Sequence, residues 1–160
     1  MKSVSILGAA TAVGLTVIMT AAFRTGAPDT IAYPEGYRRW THVKSAFTKL
    51  GQPDQGFHHI YANEKAIEGF KAGKFPDGAM LAFDRLIGTT ADGTIQEGTR
   101  ARVDVMLKDS NRFAASGGWG YERFLAESRA PALDEKTRNG CVTCHTQRQA
   151  QDYVFSTLRP

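Results

Sequence analysis

Cys141, Cys144 and His145 fall together in NGCVTCHTQRQA, residues 139–150, which holds both cysteines of the chain and one of its four histidines. Three chemistries use such a cluster. A thioredoxin-like dithiol needs its Cys-x-x-Cys at a helix start after an early strand, where the helix dipole lowers the thiol pKa. Here the pair lies near the C-terminus. A structural zinc site needs four ligands. Beyond the two cysteines only His42, His58, His59 and His145 exist, none at His-x₃₋₅-His spacing. Covalent attachment of haem c uses all three residues, because the thiols form thioethers with the porphyrin vinyl groups and the adjacent histidine is placed to ligate the iron. In that reading Cys141 and Cys144 are tethers and His145 is the proximal ligand. Its other ring nitrogen is expected to donate to a carbonyl, carboxylate or water. The dithiol and zinc readings stay open with less support. Whether a haem c carries electrons, binds gases or does oxidative chemistry is decided at the sixth coordination position.

Such attachment happens outside the cytoplasm in bacteria, and the N-terminus agrees with export. Lys2 is followed by SVSILGAATAVGLTVIMTAAF, residues 3–23, with no charge before Arg24. Thr20 and Ala22 suit an A-x-A-like cleavage site, so residues 1–22 read as a signal peptide and 23–160 as the haem c domain. The same run is long enough for a retained membrane anchor, although Gly8, Gly14 and several Ser/Thr weaken that alternative. Both readings make the domain periplasmic, with membrane contact only if the segment is retained. The 160-residue chain is one domain's worth, and 42% hydrophobic with 22% charged residues is an ordinary globular composition. Cleavage would lower the formal net charge of +4 by the one charge of Lys2. The basic clusters YRRW and KTRNGCVTCHTQR are too short to argue for nucleic acid.

The elements that must position the motif read mostly as strands. After a Pro/Gly/Thr-rich lead-in, residues 24–34, YPEGYRRWTHVKSAF opens the fold. GFHHIYA (56–62) is a strand, and NEKAIEGFKAG a helix with Asn63 as N-cap and Gly73 as stop. FPDG (75–78) is a turn with Pro second and Gly fourth. AMLAFDRLIGTT is a strand. In TRARVDVMLKD (99–109) Ala101, Val103, Val105 and Leu107 alternate with Arg102, Asp104, Met106 and Lys108, giving one apolar face. GGWGYERFLAES (117–128) is a further strand, and Leu133 to Leu158 reads as helical with a break at Asn139-Gly140. The expected fold is mainly β (α+β): an antiparallel β-sheet with flanking helices, the haem motif on the C-terminal helical segment.

In order along the chain, YPEGYRRW (33–40), FHHIYAN (57–63), the helix ending in GKFPDG (73–78), GGWGYERF (117–124) and CVTCH followed by DYVFS (152–156) resemble the cytochrome P-460 and cytochrome c′-beta family. The match spans nearly all of residues 23–160. The resemblance implies a mainly antiparallel β fold, a homodimer, and one covalent haem c with a proximal histidine and an open distal side. One branch of the family oxidises hydroxylamine and has a lysine cross-linked to the haem. The other has an apolar, phenylalanine-lined pocket that binds NO and CO. Where the lysine of the first branch would stand, on the strand after the turn, this sequence has Phe83, while Lys71 and Lys74 precede the turn. The resemblance therefore points to the cytochrome c′-beta branch, with Phe83 and Phe57 on the distal wall.

Three functions follow as expectations. The first is a five-coordinate haem c protein that binds NO or CO, for sequestration or sensing, with a possible redox partner protein. The second is a hydroxylamine or NO oxidoreductase of the cytochrome P-460 type, for which Glu122 and Asp84 are the nearest carboxylate bases, although surface charge is the blander reading of each. The third is a six-coordinate electron-transfer cytochrome with Met80, Met106 or a histidine on the iron. His58 and His59 are adjacent on a strand, so only one of them can face a haem.

Overall fold

The computed structural model describes residues 30–52 and 55–158. The signal segment, residues 1–22, lies outside them. A 3₁₀ turn, Tyr37–Arg39, leads into β1 (Thr41–Thr48) and β2 (Gly56–Ala62), followed by α1 (Glu64–Ala72). Then come β3 (Met80–Ala91), β4 (Thr94–Lys108), a 3₁₀ turn at Ala114–Ser116, β5 (Trp119–Leu125), α2 (Glu135–Thr146) and a last 3₁₀ turn at Gln149–Gln151. The five strands form one antiparallel sheet in the order β1-β2-β3-β4-β5. The expected fold class holds.

Local chemistry explains most boundaries. Asn63 caps α1 by accepting from the Ala66 amide at 2.9 Å, and Gly73 ends the helix at φ +74, a left-handed position that glycine takes without a Cβ clash. The same Asn63 oxygen accepts from Met80 N at 2.9 Å, and its amide donates to Gly78 O at 2.9 Å, so the cap also fixes the start of β3. Asp92 and Gly93, both at positive φ, turn β3 into β4 in the two-residue hairpin that matches strand twist.

Three expectations need correction. The turn after α1 is Pro76–Ala79, one residue later than FPDG suggests. Ala79 N donates to Pro76 O at 3.0 Å and Gly78 sits third at φ +86, held by its own amide donating to Lys108 O at 2.8 Å. α2 runs unbroken through Asn139-Gly140. Its Asp134 cap accepts from Thr137 N at 2.7 Å, Arg138 donates to Tyr121 O at 3.2 Å, and Val142 packs on the core. These together outweigh the roughly 1 kcal/mol that one helical glycine costs. The chain beyond the last 3₁₀ turn is not helical: Asp152 and Tyr153 are left-handed at φ +48 and +66, so residues 152–158 form an irregular strap.

The sheet is covered on both faces. One core contains Val43, Leu81, Trp119, Tyr121 and Val154 with Met106, α1 and the Cys141–Val142 turn of α2. The other contains Tyr37, Ala82, Val103, Val105 and Phe124, with Ile31 and Tyr33 of the lead-in. The alternation in β4 is present as expected, but its charged side is not a solvent face. Arg102, Asp104 and Met106 point toward the first layer, and Lys108 is 5% exposed.

Candidate functional site

Between α2, the C-terminal strap and the sheet lies a pocket of about 730 Å³. Strand alternation decides what reaches it. Ile60, Phe83, Asp104 and Arg123 are successive cross-strand partners on one face, and Leu81, Met106 and Tyr121 continue that face. Cys141, Cys144 and His145 close the pocket from α2, and Val154 and Phe155 from the strap. The structure thus brings four of the five expected cofactor-binding residues together: Cys141, Cys144, His145 and Phe83.

Phe57, the fifth, is elsewhere. It stacks on His59 and packs against Phe47, one residue out of phase with the Ile60 row and on the other side of β2. That position takes it off the wall of this pocket. His58 shares the Phe83 side and packs against that ring, whereas His59 turns away to Ser45 and to Glu97, 2.7 Å distant. His42 bonds Ser45 at 2.9 Å. Met80 belongs to the opposite core and Met106 lines the pocket.

The two carboxylates expected as candidate bases are not surface charges. Asp84 is 0% exposed and faces the opposite layer, clamped by Arg38 at 2.7 Å and Arg100 at 3.0 Å. That geometry removes it from this pocket. Glu122 is 1% exposed on edge strand β5, accepting from the Leu133 and Arg123 amides and from Arg138 of α2 at 3.1 Å. It joins sheet to helix beneath the motif. A buried carboxylate survives only when paired or hydrogen-bonded, and both are. Glu122 touches the pocket as expected, and a second carboxylate joins it: Asp104, the cross-strand partner of Phe83, held between Arg102 at 2.7 Å and Arg123 at 2.5 Å. Sequence reasoning misses it because period-two alternation in a β-rich domain ordinarily marks a wet face.

His145 is oriented by the backbone of the strap. Its Nδ1 lies 2.7 Å from the Tyr153 carbonyl. A carbonyl only accepts, so Nδ1 carries the proton and the lone pair is on Nε2, the tautomer a metal-binding imidazole needs. Tyr121 and Phe155 pack on the ring at centroid distances of 5.0 and 5.1 Å. Burial pushes the His145 pKa below its ordinary value, with the carbonyl bond opposing. Burial, together with the nearby Asp104, raises the Cys141 thiol.

The sequence matches the family described as Cytochrome P460 over residues 34–156. The chain belongs to the cytochrome P460 family. No curated protein matches it. Membership makes this chain a haem-binding cytochrome, and the residues of the pocket fit that group. Both thiols are free, at successive turns of one helix beside the pocket. The lining is largely hydrocarbon, and Tyr121 presents a buried hydroxyl with no hydrogen-bond partner among the described residues. An orphaned buried hydroxyl in a ligand cavity is a donor set for something that enters it. Among the described residues that line this cytochrome's pocket, none is a lysine.

Proposed function

We propose that this cytochrome is a periplasmic gas-binding protein of the cytochrome c′-beta kind, with one haem c held by thioethers at Cys141 and Cys144 and by His145 on the proximal side. Bound haem would supply an iron with one open axial position able to take NO or CO. The chain's own residues supply the selectivity. A phenyl ring neither ligates iron nor moves a proton, so Phe83 with Ile60 and Leu81 makes an apolar wall that small neutral diatomics can approach and water is discouraged from entering. The observation that carries the reading is the meeting of Phe83 with the Cys-x-x-Cys-His turn in one pocket whose described lining contains no lysine.

Mass spectrometry of the haem peptide from matured protein tests it. Two attachments, at Cys141 and Cys144 alone, are expected, and a third covalent link would favour the hydroxylamine-oxidising branch. That branch is the second reading, favoured by Asp104, a carboxylate beside Phe83 that could accept a proton. Met106 on the same lining favours a six-coordinate electron carrier, for which a low-spin ferrous spectrum indifferent to CO is the signature. The homodimer and export to the periplasm belong to the same proposal. Sedimentation of the matured protein at the mass of two chains is expected.

A further inference from the structure

His145 is positioned by a peptide unit whose own conformation is unfavourable. The Tyr153 carbonyl that meets Nδ1 belongs to two successive non-glycine residues in the left-handed region, Asp152 at φ +48 and Tyr153 at φ +66. Such a pair persists only where its surroundings over-determine it. Three distant parts of the chain converge there. The Asp152 carboxylate accepts from Phe75 N at 2.8 Å, in the link after α1, and from Lys108 Nζ at 2.7 Å, at the end of β4. The Asp152 carbonyl accepts from Trp119 Nε1 at 2.8 Å, at the start of β5. Lys108 also donates to Gly117 O at 2.9 Å and sits over the Trp119 ring. The side chains of the ion pair are 6% and 12% exposed for Lys108 and Asp152.

We propose that the buried Asp152–Lys108 pair is a positioning device for the proximal ligand: it locks the left-handed turn so that the Tyr153 carbonyl stays on His145 Nδ1, and so sets how strongly that imidazole donates to an iron. The inference rests on reading His145 as the proximal ligand. A firm Nδ1–H···O bond gives the ring imidazolate character, strengthening the iron–histidine bond and favouring the ferric state. Loosening the turn weakens both.

Resonance Raman of the ferrous haem-loaded protein and its reduction potential test this on two variants. Asp152→Ala is expected to lower the iron–histidine stretching frequency and raise the potential. Asp152→Asn, whose amide oxygen can still accept from Lys108 Nζ and which tolerates the left-handed turn, is expected to lower the frequency less than Asp152→Ala. Unchanged frequency and potential in Asp152→Ala would overturn the proposal. So would a shift in Asp152→Asn as large as in Asp152→Ala, since charge rather than position would then carry the effect. Should Asp152→Ala fail to fold, Gly117→Ala serves instead. A Cβ there would stand 2.2 Å from the Tyr153 ring, and the same downward shift is expected, its absence overturning the proposal. A wild-type protein with no iron–histidine stretch would sink the five-coordinate reading alone, and the positioning role would then be decided by the potential.

Discussion

The three residues of the motif differ in how much of their role the chain alone can set. His145 is fixed by a carbonyl and two rings, and Cys141 is half-buried at the pocket wall. Cys144 is exposed. Phe83 has the simplest prediction: Phe83→Ala should open the distal wall and speed CO association about tenfold, equivalent to about 1.4 kcal/mol. Flash photolysis measures this, and an unchanged rate would place Phe83 off the ligand's path. Cys141, Cys144 and His145 stand out by their spacing and Phe83 by the resemblance alone, and the four meet at one pocket. Asp84 and Glu122 cannot be placed that way, because a carboxylate's sequence context says nothing about the arginines that come from other elements to bury it. Asp104 is hidden in plain alternation, and Phe57 needs only the phase of β2 relative to Phe83, which register supplies and sequence does not.

At the scale of elements, β2 to β5 and α1 are legible because period-two patterns and caps are local, whereas β1 is not, since its mostly exposed edge position leaves no apolar alternation to read. The span of α2 is not, because its continuity through Gly140 depends on Arg138 and Val142 meeting the sheet. Gly140 is in helical backbone, and a Cβ added to it would meet nothing within 4 Å. Gly140 also lines the pocket, so Gly140→Ala is expected to stabilise the haem-free protein by about 0.5–1 kcal/mol, read as a higher denaturant midpoint. Asn63→Ala acts in the other direction. It removes the α1 cap and leaves Met80 N without its acceptor, for a loss of about 2 kcal/mol with the haem spectrum unchanged. The N-terminal end of α2 should also respond to acid. Hydrogen bonds from Thr137 hold the Asp134 carboxyl below its ordinary value of 3.8. A depressed carboxyl stabilises when ionised, so the cap is fully present above pH 3.8 and is lost as pH falls through the lower folded value. The Thr137 amide resonance should follow that titration, and a midpoint at or above 3.8 would contradict the capping geometry.

Across the whole molecule, a sheet covered on both faces separates two tasks. The lead-in and the Arg38–Asp84–Arg100 cluster secure one side, while α1, α2 and the strap enclose the other. The site is therefore built from α2 and the strap laid over a floor of consecutive strands. That floor offers Phe83, Asp104 and Met106, one residue for each of the three functions a haem here could serve. The optical spectrum of the ferrous, haem-loaded protein before and after NO addition separates them most directly. A high-spin spectrum without the red-shifted band of a cross-linked haem, converting completely on NO, is the result the gas-binding proposal predicts. A low-spin spectrum that NO leaves unchanged, or a red-shifted ferrous band, would contradict it.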